Sequence, residues 1–90
     1  MIKVRISDEA LQDLADGFWF YEAQEPGVGD YFACCIKGDI EGLKVTAGIH
    51  RQVYEDYHRL LSRVFPYAIY YTFEADEAIV WAVGRGKLKS

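Results

Sequence analysis

Arg59, Arg63, Tyr67, Arg85, Lys87 and Lys89 are the side chains of this chain best suited to joint chemistry, and five of these six are cations. Cations stabilise a pentavalent phosphate. With a general base for the ribose 2′-OH and a general acid for the leaving group, they would support metal-independent cleavage of RNA. His50 and His58 are the histidines available as that base. Spacing sets neither beside the cations, and strand alternation over Tyr57–Leu61 turns His58 away from Arg59. The same residues need no acid–base pair if they form a binding surface, since arginine and tyrosine are enriched where interfaces concentrate their energy. Arg59 and Arg63 also read as rim ion pairs of little worth, and Lys87 and Lys89 as a frayed, solubilising tail. Binding suits these residues better than catalysis. Cys34 and Cys35 are adjacent and belong to no CxxC pair, so neither a metal nor another cofactor is expected.

The elements that must position these residues are clearest near the C-terminal end. From Tyr67 the chain alternates: Tyr67, Ile69, Tyr71 and Phe73 fall on one side of a strand, and Ala68, Tyr70 and Thr72 on the other. Pro66 fixes its own φ and biases Phe65 toward extended geometry, which marks the strand's start. Glu74-Ala75-Asp76-Glu77 then breaks the pattern before a second apolar run, Ala78–Val83. The pair reads as an antiparallel hairpin, although no Asn-Gly or Asp-Gly sets the turn type. Earlier, Tyr57, Arg59 and Leu61 share one side of a strand, with His58 and Leu60 on the other.

The first half reads as strand, helix, helix. Ile2, Val4 and Ile6 alternate with Lys3 and Arg5. Ser7 is a good N-cap, and Asp8 and Glu9 suit the positive end of a helix dipole. Leu11, Leu14, Ala15 and Phe18 would share the buried helical face, flanked by Trp19 and Tyr21. Glu9, Asp13 and Asp16 would lie opposite, with Phe20 among them; that acidic face is a candidate for a secondary contact or self-association. Pro26-Gly27-Val28-Gly29 ends the helix. A second begins near Asp30 and carries Phe32, Ile36, Ile40 and Leu43. Cys34, Gly38 and Gly42 form a small-residue ridge that would let the two helices pack closely. Thr46-Ala47-Gly48 suggests a turn, and residues 49–54 read as extended or irregular.

Ninety residues make one domain, spanning 1–90, and 51% hydrophobic content allows a real but thin core. No apolar run approaches a membrane span and no signal segment opens the chain, so a cytoplasmic location is expected. Residues 1–42 carry three basic residues against nine acids, net −6, whereas residues 43–90 carry seven against five, net +2. The positive half contains the hairpin, which is where a macromolecular contact is expected.

Three stretches carry a resemblance to a known family: Ala10-Leu11-Gln12-Asp13-Leu14 running to Tyr21-Glu22, Pro26-Gly27-Val28-Gly29-Asp30-Tyr31-Phe32, and Arg63–Tyr71 continuing to Ala82-Val83. In order and spacing they resemble the ParE branch of the RelE/ParE superfamily, the toxins of type II toxin–antitoxin (plasmid stabilisation) modules. The resemblance implies an α+β fold, β-α-α-β-β-β, with a helical hairpin packed on one face of a mainly antiparallel sheet. It also implies a cognate antitoxin that wraps the toxin in a hetero-oligomer, for which Phe18, Phe20, Tyr71 and Trp81 are the candidate contacts. ParE-like members inhibit DNA gyrase, and RelE-like members cleave messenger RNA on the ribosome. Relatives of the ParE type continue after Ala82-Val83 with a histidine and arginines. Here Arg85, Lys87 and Lys89 stand there, and no tyrosine follows Tyr71. The expectation is a toxin that binds and inhibits a target. The alternatives are a RelE-like endoribonuclease, or an inactive relic that retains only antitoxin binding.

Overall fold

The computed structural model describes residues 2–47, 52–54 and 56–85. Strand β1 (Lys3–Ile6) leads into helices α1 (Asp8–Gln24) and α2 (Val28–Glu41) and a single helical turn, α3 (Leu43–Thr46). Strands β2 (Gln52–Tyr54), β3 (Tyr57–Leu61), β4 (Tyr67–Glu74) and β5 (Glu77–Arg85) follow. The sheet order is β1-β5-β4-β3-β2, with β1 parallel to β5 and the other pairs antiparallel. The expected β-α-α-β-β-β order is present. The three-residue β2 is an addition to it, and it pairs with β3 irregularly.

Ser7 caps α1 as its sequence suggests: its Oγ accepts the Ala10 N–H at 3.1 Å. The buried seam of α1 differs from the one expected. Ala10, Leu14, Gly17 and Tyr21 face the core, whereas Leu11 is 50% exposed and Ala15 is also exposed. The small residues decide the rotation, because they let α1 lie close to its neighbours. A Cβ on Gly17 would fall 2.6 Å from the Phe32 ring, and one on Gly29 would fall 2.6 Å from the Phe18 carbonyl oxygen. Close approach of the helices therefore runs through Gly17 and Gly29. The ridge of Cys34, Gly38 and Gly42 lies on the exposed side of α2 instead. Glu22 ties the helices together further, its carboxylate accepting N–H bonds from Gly27 and Gly29 at 2.9–3.1 Å. The 4-4 spacing of Phe32, Ile36 and Ile40 is buried as predicted, and α3 carries Leu43 into the same core.

Strand β4 runs through the middle of the sheet, and Tyr67, Ile69 and Tyr71 on its helix-facing side are buried. The hairpin to β5 turns at Ala75 and Asp76, both with φ near +60° (53° and 60°), as a type I′ turn requires. Neither is glycine, so the turn costs about 1–2 kcal/mol per residue relative to glycine. Pairing is regular up to Tyr71↔Val80 and resumes at Tyr70↔Ala82, which leaves Trp81 as an extra residue in β5. This bulge reverses the strand's parity. Ala78 and Val80 before it and Val83 after it all reach the core.

Tyr71 ties the sheet to the segment after α2. Its hydroxyl donates to the Ala47 carbonyl at 2.7 Å with both residues fully buried, and burial pushes its pKa up to about 12 from 10.0. The unfolded chain releases this proton near pH 10.0 while the fold retains it. The unfolded state therefore binds fewer protons between those values, and stability falls as pH rises through the window. Tyr71→Phe should cost about 1–3 kcal/mol at neutral pH, because it strands a buried carbonyl. Urea midpoints should also fall less steeply in the variant than in the parent between pH 10 and 12.

Candidate functional site

Among the described candidates, Tyr67 and Arg85 come together, whereas Arg59 and Arg63 lie elsewhere. Arg59 pairs with Tyr70 on the sheet face turned away from the helices. Arg63 lies in the loop before β4 and lines a groove of about 490 Å³ with Cys34, Cys35, Gly38, Asp39 and Val64. Arg85 stands opposite Tyr67 on the helix-facing side, because the bulge has reversed the parity of β5. Lys87 and Lys89, like His50, lie outside the described residues. Arg63 thus sits against α2, and Arg85 against α1.

The antitoxin candidates separate too. Phe18 and Phe20 lie on α1, where Phe18 packs edge-on to Trp19 at 4.9 Å. Trp81 is half-exposed on the far face of the sheet, its indole N–H donating to Thr72 Oγ1 at 2.9 Å. Tyr71 is at 0% exposure. In the folded chain it offers no surface to a partner, because alternation along β4 aims it at the helices. His58 lies on that same side, stacked on Tyr71 with ring centroids 5.1 Å apart, and thus opposite in sense to Arg59.

One grouping does form, and it includes residues assigned to a solvent face. Asp13, Asp16, Gly17 and Phe20 of α1 meet Tyr67 of β4 and Val83, Gly84 and Arg85 of β5 around a cavity of about 280 Å³. The Arg85 guanidinium lies 4.7 Å from the centroid of Phe20, a cation–π contact. Strand β1 covers β5 only as far as Val80, and Ser7 continues the edge by donating its hydroxyl to the Trp81 carbonyl at 3.2 Å. Asp13 takes over from there: its Oδ2 accepts the Val83 N–H at 2.9 Å. Burial, then Tyr21, Asp13 and Asp16, raise the Tyr67 hydroxyl above its ordinary 10.0, with Arg85 pulling the other way. Spacing 13-16-17-20 does put one helical face in view. What it omits is that the rotation of α1 turns this face toward the end of β5.

A family model described as the ParE toxin of the type II toxin–antitoxin system parDE matches residues 4–88. The chain belongs to the ParE toxin family. Solved structures share its fold. A chain of the chromosomal ParDE toxin–antitoxin system from P. aeruginosa superposes with a TM-score of 0.85 at 15% identity, covering 97% of this chain and 98% of that one. The isolated E. coli RelE toxin gives 0.60 at 13% identity, covering 100% and 89%. A chain of the E. coli RelBE toxin–antitoxin complex gives 0.55 at 14%, covering 98% and 100%. No curated protein matches the chain by sequence. Among the described residues no helix of this ParE toxin is long and apolar enough to cross a membrane, and no group of three potential metal ligands occurs.

In this ParE toxin the Asp13 carboxylate is the link between α1 and the bulged strand. Asp13→Ala should leave the Val83 N–H without a partner and cost about 1–3 kcal/mol in urea unfolding, with the m-value unchanged. Asp13→Asn retains an acceptor and should lose markedly less.

Proposed function

We propose that this ParE-family chain is a toxin that acts in the cytoplasm by binding and inhibiting a cellular target, and that a cognate antitoxin neutralises it. DNA gyrase is the target by family likeness. The observation that supports the choice of binding over cleavage is the dispersal of Arg59, Arg63 and Arg85, the candidate cations among the described residues. Metal-independent RNA cleavage needs a base and several positive charges around one phosphate. Arg59, Arg63 and Arg85 instead face three different surroundings, and the sheet stands between His58 and Arg59. A protein target needs only a shaped surface, and exposed anchors are present. Trp19 is 66% exposed, and Phe20, Leu61, Val64 and Trp81 are exposed to lesser degrees. Apolar exposure on this scale in so small a chain suits an interaction partner.

Inducing the chain alone in bacteria tests this, beside Arg63→Ala and a version ending at Arg85. The expected result is growth arrest with DNA-damage signalling, relieved by the co-expressed antitoxin and weakened in at least one variant. Inhibition of supercoiling by purified gyrase should accompany it. Arrest with transcript cleavage would instead identify a ribonuclease acting on ribosomal messenger RNA. Normal growth at good expression would identify an inactive relic.

A further inference from the structure

The sheet face turned away from the helices carries a donor that bonds to nothing. Tyr70 is 7% exposed, and its buried hydroxyl has no hydrogen-bond partner among the described residues. Buried polar groups ordinarily have one, and leaving one out destabilises a fold. Tyr71 beside it differs, because its hydroxyl finds the Ala47 carbonyl on the helix side. Register shows what Tyr70 lacks. Directly across from it stand Arg59 of β3 and Ala82 of β5. A guanidinium only donates and an alanine side chain does neither, so neither opposite side chain offers the phenol an acceptor. Thr72, two residues on, already accepts the Trp81 N–H.

Arg59 has the same need. It is partly buried, and it takes no part in the ion pairs among the described residues, Arg5–Glu77 and Lys44–Glu41. Two donors thus share one patch with no acceptor between them. The other described cations of this face, Lys3 and Arg5, lie on β1 at the far edge of the sheet, and Glu77 already holds Arg5 at 3.3 Å. Three strand spacings, roughly 14 Å, separate β1 from β3. The patch therefore offers one positive charge rather than a row of them.

We propose that this patch receives one carboxylate, from an aspartate or glutamate of the antitoxin. Its two oxygens accept paired N–H bonds from the Arg59 guanidinium, and one of them also accepts the Tyr70 O–H. The hydroxyl is closed to solvent in the free chain. Binding therefore includes a side-chain rearrangement on this face, as is common at interfaces. A nucleic-acid backbone fits worse, because it repeats its charge at every phosphate and gains from several cations at once. Assigning the carboxylate to the antitoxin rests on the toxin reading above. The carboxylate site itself does not.

The experiment separates the two. Amide shifts of the full chain are followed by NMR as sodium acetate is added. Sodium chloride at equal ionic strength is the control, and sodium dimethyl phosphate is the phosphodiester probe. Saturable acetate shifts at Arg59, Tyr70 and Ala82 are expected, and Arg59→Gln should abolish them. Tyr70→Phe should weaken acetate about tenfold. It should also leave the urea midpoint unchanged or raised, because the hydroxyl it removes bonds to nothing in the free chain. Acetate shifts that match sodium chloride or survive Arg59→Gln, tighter binding of dimethyl phosphate, or a lowered midpoint in Tyr70→Phe each overturn the site. In the second arm, each acidic residue of the antitoxin is replaced by its amide, and binding is measured against parent and Arg59→Gln toxin. One replacement should cost about tenfold against the parent and far less against Arg59→Gln. Tight antitoxin binding with no such coupling overturns the antitoxin as donor. Saturable acetate binding with no antitoxin binding overturns the toxin reading and leaves the site standing.

Discussion

A single extra residue in β5 governs how the rest of the molecule is arranged. Without the bulge at Trp81, side chains two apart from Val80 would face the helices, so Ala82 and Gly84 would point inward and Val83 and Arg85 outward. With it, Val83 joins Val80 beneath the helices and Arg85 comes to stand opposite Tyr67. Trp81 is turned to the far face, where Thr72 accepts its N–H. The same irregularity falls where β1 ends, so the exposed edge of β5 beyond it is satisfied by α1 rather than by another strand. Bulges of this kind commonly re-aim side chains at the rims of sheets. Here the re-aimed group is the guanidinium on Phe20.

The helices answer to the same constraint. For Asp13 to reach the Val83 N–H, α1 must present the 13-16-17-20 face to the strand's end, and this carries Leu11 and Ala15 out into solvent. Gly17 allows it by giving room to the Phe32 ring. Tyr21, Phe32, Phe65 and Tyr67 then close into one aromatic cluster, with ring centroids 4.8–6.0 Å apart. The fold thus leaves Leu11 and Ala15 exposed beside a cavity lined by Asp13, Asp16 and Arg85.

Much of this was legible in the sequence wherever a pattern is local. Alternation from Tyr67 to Phe73, the Pro66 entry, the Ser7 cap and the 4-4 spacing of Phe32, Ile36 and Ile40 each depend on neighbours a few residues away. The register of β5 does not. Ala78–Val83 is a continuous apolar run, so one more residue in it leaves no mark, yet it reverses the facing of everything after it. The rotation of α1 was hidden for a related reason. Leu11 and Ala15 look like core by hydropathy, while the seam is chosen by close approach at Ala10 and Gly17, which only the packed partner reveals. Cations twenty-six residues apart look alike in sequence, and only the sheet shows that Arg59 and Arg85 occupy opposite faces.

Family membership and fold agree on a ParE toxin. All of the site geometry descends from the register of one hairpin. The most direct measurement is therefore the set of backbone cross-strand NOEs in β4–β5. The expected contacts pair Tyr71 with Val80 and Tyr70 with Ala82, with Trp81 opposite no residue of β4. An unbroken ladder pairing Tyr71 with Trp81 and Thr72 with Val80 would contradict it.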